Sequence, residues 1–97
     1  MKYAIILSPE AMEDMRRLKA PIRSQVKQAM EIHLRHEPLK ESKSRIKRLR
    51  GIRRPGYRLR IGEIRVFYDV SDDTVEVLAV VPKSKASEWL EKVGARP

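Results

Sequence analysis

Apolar and polar residues alternate with period two in three successive runs, Tyr57 to Ile61, Ile64 to Val70 and Thr74 to Val81. That period marks strands with one buried face. Gly62-Glu63 and Asp72-Asp73 separate the runs, and each reads as a two-residue hairpin turn. A β-meander is therefore predicted. Pairing across Gly62-Glu63 sets Ile61 against Ile64, Arg60 against Arg65, Leu59 against Val66, Arg58 against Phe67 and Tyr57 against Tyr68. Pairing across Asp72-Asp73 sets Val70 against Val75, Tyr68 against Val77, Val66 against Ala79 and Ile64 against Val81. One face of the meander is then apolar from end to end.

The N-terminal half changes period. Lys2 to Leu7 reads as a first strand, and Ser8-Pro9-Glu10 as a helix start with an N-cap, a first-position proline and a first-turn acid. Ala11, Met15 and Leu18 carry that helix to about Lys19, and Pro21 opens a second one with Ile22, Val26, Ala29, Met30 and Leu34 along one side, ending near His36. Residues 37–45 are a polar connector, Ile46 to Arg50 a short strand, and Gly51 to Gly56 a loop. From Lys83 onward, Ala86, Trp89, Leu90 and Val93 suggest a short helix stopped at Gly94. The predicted class is α+β, in the order β-α-α-β-β-β-β. Two N-terminal helices pack on an antiparallel β-meander, a short C-terminal helix follows, and residues 1–97 form one domain.

Charge sharpens this picture. Eleven Lys and Arg side chains lie between Lys40 and Arg65 against two acids, Glu41 and Glu63, so this stretch carries the whole net charge of +9. A field so localised favours a polyanion, with salt-dependent binding. On the polar face of the meander, Arg60 stands opposite Arg65 with Arg58 two residues along. Like charges placed directly opposite each other cost a sheet roughly 0.2–1 kcal/mol. Guanidinium forks suit phosphate oxygens, and Phe67 and Leu78 beside them suggest a single-stranded RNA surface on which bases stack. Lys47, Arg48, Arg50, Arg53 and Arg54 extend the basic surface. Asp69 and Glu76 form one acidic pair on it, expected to be solvated or to meet basic residues of a partner.

Other chemistry is sparse. The chain has no cysteine, which excludes a disulfide framework and a cysteine zinc site. His33 and His36 have no convincing third ligand, so neither metal nor cofactor is expected. The apolar run Ala4 to Leu7 is too short for a signal peptide or a membrane span, and a soluble, cytoplasmic setting is expected.

The chain resembles the RelE/ParE superfamily of toxins from type II toxin–antitoxin systems, and within it the RelE branch. The resemblance rests on YAIILSPEAMEDMRRL from Tyr3, on Arg48-Leu49-Arg50-Gly51, on Gly56-Tyr-Arg-Leu-Arg60, on Gly62-Glu-Ile-Arg-Val-Phe-Tyr68 and on the strand from Val75 to Lys83. It implies a ribosome-dependent mRNA endoribonuclease in which basic side chains promote attack of the ribose 2′-hydroxyl on the scissile phosphate without metal. Arg58 and Arg60 match the paired basic residues of the family's central strand, and Arg65 the motif arginine of the next. The family's C-terminal arginine and tyrosine positions hold Ser84 and Leu90 here, and the proposed substitutes are Lys83 or Lys85 for the charge and Trp89 for the stacking. The implied partners are a cognate acidic antitoxin, the ribosome and mRNA, with operator DNA reached only through the antitoxin. Two rival readings are a ParE-like toxin that inhibits DNA gyrase by binding, and a nucleic-acid-binding degenerate toxin without catalysis. In every version an amphipathic antitoxin helix is expected to bury Phe67 and Leu78.

Overall fold

The computed structural model describes residues 2–94. Along the chain lie β1 (Ala4–Leu7), α1 (Pro9–Arg17), α2 (Ala20–Leu34), β2 (Ile46–Arg48), β3 (Tyr57–Ile61), β4 (Ile64–Ser71), β5 (Thr74–Pro82) and α3 (Lys83–Gly94). The class and element order are those predicted. The strands form one sheet in the order β1-β5-β4-β3-β2. Strands β2 to β5 are antiparallel neighbours, while β1 lies parallel beside β5, so the sheet is mixed.

Helix α1 begins as its sequence dictates. The Ser8 side chain accepts the Ala11 N–H, Pro9 opens the first turn, and Arg16 and Arg17 face the carbonyl end of the helix dipole. Arg23 of α2 donates to the carbonyls of Met15 (3.0 Å) and Leu18 (2.7 Å), locking the two helices together where α1 runs out of N–H donors for its last carbonyls. Ala11, Met15, Val26, Met30 and Leu34 then pack on the apolar sheet face of Leu59, Ile61, Val66, Tyr68, Val75 and Val77. Tyr68 stacks on Tyr57 and donates its hydroxyl to the Pro38 carbonyl at 2.6 Å. Burial raises the Tyr68 phenol well above its ordinary pKa, so that proton stays in place. Among the described residues no helix is long and apolar enough to cross a membrane.

The β3–β4 register matches the alternation at every pair, from Tyr57–Tyr68 to Ile61–Ile64, with Gly62 at a φ of 56° in the turn. The β4–β5 register does not. It follows the expected pairing from Val70–Val75 to Tyr68–Val77, after which Leu78 is an extra residue on β5. Val66 therefore faces Val80 instead of Ala79, and Ile64 faces Pro82 instead of Val81. The cause lies on the other side of β5. Strand β1 ends at Leu7, opposite Val77, and the chain turns there into α1. The remainder of β5 finds side chains instead of a strand. The Ser8 hydroxyl donates to the Leu78 carbonyl (3.1 Å), and the Asp14 carboxylate accepts the Val80 N–H (2.9 Å).

Burial raises the Asp14 pKa above the ordinary carboxylate value of 3.8, while the Val80 hydrogen bond pulls it down. The folded state thus holds the proton more tightly than the unfolded chain, so this group's contribution to stability falls as pH rises just above 3.8. Asp14→Ala strands the Val80 N–H and should lower stability by about 1–3 kcal/mol in urea unfolding. Asp14→Asn keeps a carbonyl acceptor and carries no charge, so it should stay within about 0.5 kcal/mol of wild type and lose this part of the pH dependence.

Candidate functional site

Two rows of side chains cross the sheet face turned away from α1 and α2. Lys47, Arg58, Phe67 and Ala79 are consecutive cross-strand partners on β2 to β5, and the next row brings Arg60, Arg65 and Val81 together. The expected juxtaposition of Arg58, Arg60 and Arg65 is therefore present, although the three are not equivalent. Arg60 is exposed. Arg65, expected on the open face, is only 6% exposed, with Nη1 donating to the carbonyls of Gly62 (2.8 Å) and Ile64 (3.0 Å). Its guanidinium curls over the β3–β4 turn and fixes it. Arg58 is half-buried, and its Nε is enclosed without a hydrogen-bond partner. Desolvation first, then the charges of Arg65 and Arg60, push its pKa below the ordinary guanidinium value. Among the described residues no carboxylate lies within ion-pair distance of the three arginines. A desolvated cation beside two others, with an idle donor, has hydrogen-bonding and charge that an anion would satisfy.

Helix α3 covers the centre of this face. It starts where the Lys83 N–H donates to the Glu63 carbonyl (2.7 Å), which sets the exposed Lys83 at the Arg60–Arg65 end. Lys85 is also exposed in the first turn of α3. Farther along, the Trp89 indole stacks on Phe67, with centroids 5.0 Å apart and planes 11° from parallel, and its Nε1 donates to Glu10 Oε2 at 2.6 Å. This corrects the expectation for Phe67. At 1% exposure it lies beneath Trp89, closed to an incoming base and to a partner helix. Glu10, taken from sequence only as a first-turn acid, proves to join α1 to α3; no sequence pattern relates two residues 79 positions apart.

The basic loop also divides. Arg54 is bound within its own chain, with Nε on Asp69 (2.7 Å) and Nη2 on Glu76 (2.8 Å), so the acidic pair is bridged by a residue expected to hold RNA. Those two contacts raise the Arg54 pKa, the Asp69 hydrogen bond most. Asp69 further accepts the Gly56 N–H. Arg48 sits on the opposite sheet face, its guanidinium 6.0 Å from the Tyr57 ring centre. Lys47, Arg50 and Arg53 remain exposed, with Lys47 directly beside Arg58.

Residues 5–86 match the family model described as the ParE toxin of the type II toxin–antitoxin system parDE. Among similar solved structures is a free Escherichia coli RelE toxin with two arginine-to-alanine substitutions. It is 26% identical, with 97% of this chain and 95% of that chain covered and a TM-score of 0.74. The toxin–antitoxin complex RelBE2 of Mycobacterium tuberculosis is 26% identical over 84% of this chain and 99% of that one, with a TM-score of 0.68. The archaeal RelE–RelB complex of Pyrococcus horikoshii shares the fold, with a TM-score of 0.70 at 24% identity over 88% of this chain and 99% of that one. No curated protein sequence matches the chain.

Arg58→Met preserves most of the packed volume and removes a half-buried charge from beside two like charges. It should raise stability by about 0.5–1 kcal/mol. Inorganic phosphate should raise the thermal midpoint of the wild type above that in potassium chloride of equal ionic strength, and this gain should vanish in the variant. A less stable variant that still gains from phosphate would contradict the anion site.

Proposed function

Because the chain belongs to the ParE toxin family of type II toxin–antitoxin systems, we propose that its arginine face acts on RNA as a ribosome-dependent mRNA endoribonuclease, in the manner of the RelE branch. The observation that supports this reading is Arg58, desolvated, with an unpartnered Nε and flanked by Arg60 and Arg65. A toxin that works by binding a protein surface gains nothing from destabilising its own sheet to prepare a phosphate site. In the proposed reaction the ribose 2′-oxygen attacks the adjacent phosphorus and the 5′-oxygen of the next nucleotide departs, leaving a 2′,3′-cyclic phosphate. Arg58 and Arg60 neutralise the charge that builds on the non-bridging oxygens, and Arg65 holds the turn that presents them. Lys83 or Lys85, both exposed in the first turn of α3, stabilises the charge on the departing 5′-oxygen and supplies its proton. Guanidinium stays protonated at ordinary pH, so the 2′-hydroxyl proton passes to water or to ribosomal groups. The ribosome aligns the two reacting atoms. No metal ion takes part in this scheme, and the protein works in the cytoplasm, where its substrate is.

The antitoxin reading shifts with Phe67 covered. A groove of about 400 Å³ is lined by Leu7, Met12, Met15 and Met30 and rimmed by Arg16, Arg23 and Lys27. Its apolar floor and cationic rim complement an acidic amphipathic helix, and we assign the cognate antitoxin to it. Operator DNA is then reached only through that partner. The second reading, a gyrase-binding toxin, is favoured by the ParE description of the family model.

Induced expression in cells, with mapping of mRNA 5′ ends, tests the nuclease. New ends inside translated codons should accompany growth arrest and fall by about 100-fold or more in Arg58→Ala, the usual cost of losing one charge-stabilising donor. Growth arrest with intact mRNA, together with blocked supercoiling in vitro, would transfer the assignment to gyrase.

A further inference from the structure

Beyond the Phe67–Trp89 stack, on the side away from Arg65, lies a cavity of about 710 Å³ that the proposed chemistry does not use. Its walls come from four separate parts of the chain: Glu10 at the start of α1, the loop residues Gly51, Ile52 and Arg53, Leu78 on β5 and Trp89 on α3. The loop wall is built rather than slack. The Leu49 N–H donates to the Gly56 carbonyl at its base (2.8 Å), and Arg54 pins its far side to Asp69 and Glu76. Gly51, at a φ of 76°, makes the bend. The volume suits a ligand the size of a nucleoside.

The polar groups of the cavity are selective. Trp89, Ile52 and Leu78 supply apolar walls for a flat ring. Glu10 is exposed; its Oε2 accepts the Trp89 indole N–H with one lone pair, and among the described residues Oε1 accepts nothing, so Oε1 and the second lone pair of Oε2 can together take two N–H donors. A carboxylate held in this way takes N–H donors and repels acceptors. Guanine alone offers two adjacent donors, N1–H and the N2 amino group, on its Watson–Crick edge. Adenine and cytosine each place an acceptor beside their one amino group, and uracil flanks its single N–H with two carbonyls. Arg53 adds the opposite polarity: it is exposed, has no carboxylate partner among the described residues, and its guanidinium fits the O6/N7 acceptors of guanine.

The cavity also lies within a nucleotide's reach of the arginines. Arg58 and Phe67 are direct cross-strand partners, and Phe67 touches Trp89 at 5.0 Å. A base in the cavity and a phosphate on Arg58 are then separated by little more than one aromatic stack. We propose that this cavity is a guanine subsite, in which Glu10 reads the Watson–Crick edge of a base adjoining the phosphate held by Arg58. The assignment of the adjoining phosphate rests on the reading of the arginine face given above. The base pocket itself does not.

Trp89 is the only tryptophan in the chain, so its fluorescence reports directly on the cavity. Titration of the full-length protein with the four ribonucleoside 5′-monophosphates should give saturable quenching, with GMP bound about tenfold or more tightly than AMP, CMP or UMP. One well-made bidentate base contact is worth a discrimination of that order. The four nucleosides, which lack phosphate, should keep the same ranking at lower affinity. Glu10→Gln still accepts the indole N–H but opposes a donor to guanine N1–H. It should reduce the guanine preference to less than about twofold while leaving the thermal midpoint near wild type. Arg58→Ala should weaken all four nucleotides alike and leave the ranking unchanged; failure there counts against the phosphate reading alone. Absence of saturable quenching, equal affinity for all four bases, or a guanine preference that survives Glu10→Gln overturns the subsite.

Discussion

The hydrogen bonds of β5 beyond Val77 organise this protein. Strand β1 stops at Leu7, and the exposed backbone of β5 must find partners elsewhere or bear the cost of burying them unpaired. The first turns of α1 provide them through the Ser8 hydroxyl and the Asp14 carboxylate. Holding the start of α1 against β5 brings Glu10 within reach of Trp89, and Trp89 lays α3 across the second sheet face. Under α3, Phe67 is buried beneath Trp89; beside it Arg65 is buried over the β3–β4 turn, and Arg58 loses water without gaining a partner for its Nε. The electrostatic character of the arginine face thus follows from a strand that ends early on the other side of β5.

That face illustrates how stability and function are set against each other. Three guanidiniums share one patch of sheet, one buried over a turn and one half-buried with an idle donor. The opposite end of the same face is settled, with Asp69 and Glu76 closed by Arg54. Charges are therefore neutralised where the loop is held, by Arg54, and, among the described residues, left without a carboxylate partner at Arg58, Arg60 and Arg65. In a chain of 97 residues, where total stability is on the order of 5–15 kcal/mol, such repulsion is tolerable only because the apolar face is packed by both helices.

Most of the fold was legible because it follows local rules. Alternation and the turn at Gly62 gave the β3–β4 register residue for residue, and the Ser8-Pro9-Glu10 signal placed the start of α1. The errors share a physical origin. A bulge at Leu78 has no glycine or proline to announce it, since it answers to hydrogen bonds made by residues some 65 to 70 positions away. Alternation also assigns side chains to faces without saying whether a face is open. Arg65 and Phe67 were placed on the correct face, yet α3 closes it, and the only hint was one tryptophan among few apolar anchors. Arg54 went to the wrong partner for a similar reason. Its carboxylates are 15 and 22 residues away, and composition alone cannot distinguish a cation that binds a ligand from one that holds a loop.

The bulge has one more implication. Side chains on a strand alternate between faces, so an extra residue is a parity switch for everything that follows it. With Leu78 present, Val80 points into the core and Ala79 lies beneath α3. Were the same β5 sequence paired without the bulge, Ala79 would turn into the core and Val80 out of it, and the helix it launches would set out toward the side already occupied by α1 and α2. The separation of the core face from the arginine face in the second half of β5 therefore rests on the formation of the bulge. Within a lineage that keeps this sheet, a one-residue change in β5 that no bulge absorbs is accordingly a larger evolutionary step than many substitutions, because it reassigns faces rather than altering a contact.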